Sequence, residues 1–132
     1  MSCVLRIGGP DFAVDAYLKQ STLLPHDVFR KGERRSKTSS KIHEDSGFTV
    51  TASDADFDNL PDQINDTISF LRKHSSELTK LKTFPGVAGM RVDFGFNNRM
   101  NGETCVVQVD VFPAELLKLC GEFGIDLMIS QY

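Results

Sequence analysis

Apolar and polar positions alternate at the start of the chain, with Cys3, Leu5 and Ile7 set against Val4 and Arg6. A period of two sends successive side chains to opposite faces, so this stretch predicts a strand ending at Gly8-Gly9. Pro10 and Asp11 then supply a helix start, and Phe12, Ala16, Tyr17 and Leu18 carry apolar groups at helical spacing up to Gln20. Pro25 and Gly32 punctuate the next stretch and leave room for at most a short edge strand at Val28 and Phe29. Phe48, Val50 and Ala52 against Thr49, Thr51 and Ser53 predict a further strand, with one buried and one wet face.

Leu60, Ile64, Ile68, Leu71, Leu78 and Leu81 keep a period near 3.6 and predict one long helix over 60–84, interrupted by Ser75. Asp58 or Asn59 caps its start, and Lys80 and Lys82 at its end complement the helix dipole. Met90, Val92, Phe94 and Phe96 alternate with Arg91, Asp93 and Gly95, and Cys105, Val107, Val109 and Val111 alternate with Val106, Gln108 and Asp110. Asn101-Gly102 lies between these runs, a pair suited to a tight reversal, so an antiparallel hairpin is expected. Pro113 opens a last helix that Gly124 stops, and Ile125, Leu127 and Ile129 complete the sheet.

This order predicts a single α+β domain over 1–132. Its form is a ferredoxin-like antiparallel or mixed sheet with the helices on one face. The other face then displays Arg6, Thr49, Thr51, Arg91, Asp93, Gln108, Asp110, Asp126 and Ser130. Asp93 and Asp110, on neighbouring strands of the expected hairpin, would share that face and repel each other.

Composition sharpens the picture in a few places. The chain has 132 residues and 40% hydrophobic content, enough for one core and too little for two domains. A formal charge of −3 sets the whole molecule against phosphate backbones, although the stretch FRKGERRSKTSSKIHED gathers Arg30, Lys31, Arg34, Arg35, Lys37 and Lys41. With its serines and threonine, 30–46 is expected as a mobile polar loop, and Arg34 and Arg35 are its candidate contacts with a partner. Stacking of nucleic-acid bases needs exposed rings, and the open face offers only Tyr132 in this phasing. The expectation is therefore against nucleic acid. No apolar run nears the roughly 20 residues that span a bilayer, and no export leader is visible, so a cytoplasmic protein without a membrane partner is expected. Cys3, Cys105 and Cys120 are widely spaced and fall on apolar phases, as buried reduced thiols would.

No nucleophile elbow, Walker loop or dinucleotide fingerprint occurs. His43, Glu44 and Asp45 are consecutive and point in different directions, without a second ligand pair. The expectation is of no catalytic residue, no metal and no cofactor. What remains is binding: Asp54, Asp56, Asp58, Asp62 and Asp66 gather at one helix entrance, and with Asp93 and Asp110 they could steer a basic protein partner.

The stretches IGGPDF, LPHDVFRKGE, GFTV and ELLKLCGEFGIDLMISQY, in this order, resemble a small bacterial family catalogued only as a domain of unknown function. Pro25, Lys31 and Gly32 match its turn, and the basic extension up to Lys41 departs from it. The resemblance brings no catalytic residues. It implies, by analogy with other small α+β bacterial proteins, an immunity protein that neutralises a toxin by binding it. A nucleic-acid contact through the basic loop, or a metal-dependent enzyme, are the alternatives.

Overall fold

The structure is a computed structural model that describes residues Met1–Tyr132. Five strands form one sheet: β1 (Cys3–Gly9), β2 (Asp27–Phe29), β3 (Ser46–Ser53), β4 (Gly89–Phe96) and β5 (Ile125–Gln131), in the order β2-β3-β1-β4-β5. All neighbours are antiparallel except β4 and β5. The first four strands are thus arranged as in a ferredoxin-like sheet, and β5 is added in parallel beside β4 after a helical crossover.

Alternation decides which face is covered. On β1, Cys3, Leu5 and Ile7 are fully buried while Val4, Arg6 and Gly8 are half-buried, and β3 and β4 follow the same phase with Phe48, Val50, Val92 and Phe94 inward. The helices pack on that inward face: α1 (Val14–Leu18), α2 (Leu60–Lys73), α3 (Ser75–Lys82) and α4 (Ala114–Phe123). They contribute Tyr17, Ile64, Leu71, Leu78, Leu81 and Leu116 to one continuous core.

Several expectations hold in detail. Asn59 caps α2 by accepting the Asp62 N–H, Pro61 sits in the first turn, and Gly124 ends α4 in the left-handed conformation. Others need correction. The interruption expected at Ser75 is a full break into two helices: the His74 backbone leaves helical values, and Ser75 and Ser76 start a separate α3. The break lets α3 turn Glu77 toward the end of α1, where its carboxylate accepts the hydroxyls of Tyr17 and Ser21 and both the N–H and the hydroxyl of Thr22. The first helix is only five residues long.

The basic stretch is an arm with a hydrogen-bonded stem. The Gly32 N–H donates to the His43 carbonyl (2.9 Å), the His43 N–H to Glu33 (2.8 Å) and the Arg35 N–H to Lys41 (2.9 Å), so the β2–β3 pairing continues past the sheet. Its His43 ring packs on Phe29, with centroids 5.2 Å apart. Phe29 lies on the open face and is nevertheless buried, between the arm and the Arg6 guanidinium. At the other end of that face Phe57 and Tyr132 meet edge to face above Gly95. The open face is therefore richer in aromatic rings than its strand phases suggested.

Candidate functional site

The largest departure from the expected fold lies between β4 and α4. Residues 97–113 form no strand, and the run Cys105–Val111 pairs with nothing in the sheet. The reason is topological: β4 already has β1 on one side and β5 on the other, so no edge is left for a hairpin partner. Asn101-Gly102 does make a tight turn, with the Asn101 side chain accepting the N–H groups of Glu103, Thr104 and Cys105 and its own N–H donating to the Cys105 carbonyl. Pairing stops there.

A side-chain network replaces the missing ladder. The Arg99 N–H donates to the Gln108 amide oxygen (2.8 Å), Gln108 donates to Asp110 (2.9 Å), and the Arg99 guanidinium meets the same carboxylate at 2.9 Å. Burial alone would raise the Asp110 pKa, but the Gln108 and Arg99 donors outweigh it and hold the carboxyl below its ordinary value. The network fixes the polar side chains of the segment and leaves its valines outward: Val106, Val107, Val109 and Val111 are 62%, 69%, 74% and 73% exposed. Four β-branched side chains in a short run are an unusual load for solvent, and exposed apolar groups of this kind mark interaction surfaces.

The valines continue into a groove. Val109, Val111 and Pro113 face Leu60, Pro61 and Ile64 at the start of α2 across a cavity of about 380 Å³. The acidic entrance lies at the same end of α2, although the only carboxylate in the groove lining is Asp110. Asn97 donates to the Asp58 carboxylate (2.7 Å) and to the Phe57 carbonyl (3.2 Å), tying the start of the segment to the turn before α2. Asp56 accepts the Asp58 N–H, Asp62 accepts from the Asn59 side chain, and Asp54 lies 3.0 Å from the Met1 amino group. These carboxylates shape the turn locally. Asp54, Asp56, Asp58 and Asp62 also remain exposed, so they form an acidic rim beside an apolar strip.

With this geometry in view, the comparison with known families is decisive on one point. The family described as Domain of unknown function (DUF4279) matches residues 1–132. The chain belongs to the DUF4279 family. No curated protein and no solved structure matches it.

The remaining candidates of this DUF4279 domain lie elsewhere. Asp93 is on the open sheet face, where its carboxylate accepts the Ser130 hydroxyl (2.8 and 2.9 Å). Asp110 is not on a neighbouring strand, so the expected Asp93–Asp110 repulsion does not exist, and Gln108 also leaves the open face. Arg34 and Arg35 are exposed on the arm, and neither has a carboxylate within 4.0 Å. Arg30, counted in the basic run, is already held by both oxygens of Asp15 (2.8 and 2.9 Å). Cys3 and Cys120 are buried, whereas Cys105 is partly exposed within the valine segment, against expectation. No group of three or more His, Cys, Asp or Glu side chains is drawn together as metal ligands. Sequence reasoning missed the valines as a surface because it placed them in the sheet; four valines within 106–111, one more than strict alternation allows, were the available signal.

Proposed function

We propose that this DUF4279 domain is a non-enzymatic binding protein that captures a basic protein partner on the valine segment and its acidic rim. The observation that carries the reading is the run Val106, Val107, Val109 and Val111, exposed beside the Asp54 to Asp62 entrance. An apolar centre bordered by charge is the common anatomy of a protein interface: the valines, once covered by the partner, would supply affinity and the rim carboxylates approach and register. The acidic rim selects a positively charged partner. The most specific form of the proposal is a cytoplasmic immunity protein of bacterial origin that neutralises a toxin by covering its working surface.

The test is co-expression with the product of the neighbouring gene, followed by pull-down and growth rescue. A stable complex together with protection supports the reading; neither complex nor protection contradicts it. Size-exclusion chromatography with light scattering addresses the same surface from another side. A dimer that Val109→Asp dissolves would make a second copy of the chain the occupant and would overturn the proposal of a basic partner.

A further inference from the structure

The open sheet face holds a second cavity, remote in the fold from the valine segment. Its volume is about 280 Å³, and Arg6, Gly8, Asp45, Gly89, Arg91 and Asp126 contribute to its lining. Arg6 on β1 and Arg91 on β4 are direct cross-strand partners, and Asp126 on β5 follows in register with Arg91. Charges therefore run plus, plus, minus across three adjacent strands, with Asp45 entering just before β3 on the far side of β1. None of the four makes an ion pair within 4.0 Å. Two cations and two anions line one cavity with no direct ion pair among them.

Like charges placed opposite each other on neighbouring strands destabilise a sheet unless something lies between them. Arg6 is held in this position. Its guanidinium carbon lies 4.3 Å from the centre of the Phe29 ring, which is itself locked under His43 of the arm. Burial and then the Arg91 charge lower its pKa, and the nearby Asp45 carboxylate offsets this only in part. Gly8 and Gly89 are cross-strand partners in its lining; a Cβ on Gly89 would meet no atom within 4 Å, whereas one on Gly8 would lie 3.3 Å from the Phe29 ring, so the open floor is at Gly89.

We propose that this cavity binds a small zwitterion of the α-amino acid class, its carboxylate between Arg6 and Arg91 and its ammonium toward Asp126. Two guanidinium groups can share one carboxylate through paired N–H donors. A plain anion would be set against two carboxylates, and a plain cation against two arginines. A zwitterion satisfies both signs and suits a space at the small end of ligand cavities. The site is independent of the partner surface and stands or falls separately from it.

Amide NMR titration of the whole protein tests it, with each common α-amino acid as probe and with sodium acetate and ethylammonium chloride as single-charge controls. At least one amino acid should move the Gly8 and Gly89 signals saturably, while acetate and ethylammonium at equal concentration leave them in place. Arg91→Gln and Asp126→Asn, both surface changes, should each weaken that binding about tenfold. Gly89→Leu, which fills the floor, should abolish it at Gly8. The proposal is overturned if no amino acid moves these signals, if acetate moves them equally, or if Arg91→Gln binds as tightly as the parent.

Discussion

The Arg99 guanidinium and the Asp110 carboxylate meet at 2.9 Å across a segment that has no strand partner. Their ion pair, with Gln108 between them, ties the polar side chains of this segment together, and the valines beside it face out. Exposed ion pairs contribute about 0.2–1 kcal/mol, and the Asp110 side chain is only 15% exposed, which favours the upper end. Arg99→Ala should therefore lower global stability by no more than about 1 kcal/mol while amide exchange over 99–110 speeds up markedly. Unchanged exchange there would mean that the pair does not hold the segment.

The three cysteines should separate cleanly in a thiol-labelling experiment. Burial pushes the Cys3 thiol up to about 12 and the Cys120 thiol up to about 11, whereas Cys105 sits partly exposed among the valines. The thiolate is the reactive form, so both buried groups are protected by pKa as well as by access. Native protein should take up one equivalent of a thiol reagent, at Cys105, and the other two only on unfolding. Labelling of Cys3 in the native state would contradict its burial in the core between sheet and helices.

Acid stability should depend on Glu77. Burial opposes ionisation of its carboxyl, but the hydroxyls of Ser21, Tyr17 and Thr22 and the Thr22 N–H hold its pKa below the ordinary glutamate value. A group with a depressed folded pKa stabilises the protein above its unfolded value, near 4.3, and that contribution is lost as the pH falls through the folded value. Glu77→Gln should accordingly flatten the decline of Tm below about pH 4. Glu77→Ala, which strips the Tyr17 hydroxyl of its acceptor, should cost about 1–3 kcal/mol at neutral pH. Parallel pH curves for the parent and Glu77→Gln would remove this role.

Two glycines give opposite predictions. A Cβ on Gly47 would lie 2.1 Å from the Ile7 carbonyl oxygen and 2.6 Å from the Phe29 ring, so Gly47→Ala should destabilise toward the upper end of about 1–3 kcal/mol. Gly89→Ala has open space above it and should be neutral or slightly stabilising, because alanine gives up less chain entropy on folding. Thermal melts of the two variants decide the matter. Equal effects would contradict the close approach of β2 and β1 to Gly47.

Much of the sheet and its helices was legible because burial period, caps and stops are local. The β1 alternation, the Asn59 cap and the Gly124 stop each act within a few residues. What was not legible depends on distant occupancy. Cys105–Val111 has the pattern of a strand, yet strand formation requires an edge, and both edges of β4 are taken by β1 and β5. Phe29 looked like an ordinary edge-strand residue until the arm brought His43 over it. The interruption at Ser75 was visible, but that it is a full break into two helices was not, because Leu71, Leu78 and Leu81 stay in helical phase on both sides of it. The same limit applies to the site: the acids at the α2 entrance were visible, while the valines beside them were assigned to a sheet.

Binding kinetics against the captured partner test the central claim most directly, comparing the Val107→Asp and Val109→Asp variants with charge reversals at Asp56 and Asp62. Apolar groups at the centre of an interface govern dissociation, and rim charges govern association. Each valine variant should raise the dissociation rate at least about tenfold, and the double reversal of Asp56 and Asp62 to Lys should mainly slow association, more so at low salt. If both sets of variants, folded as judged by their melts, bind and release the partner within about twofold of the parent, the valine segment and its acidic rim are not the binding surface.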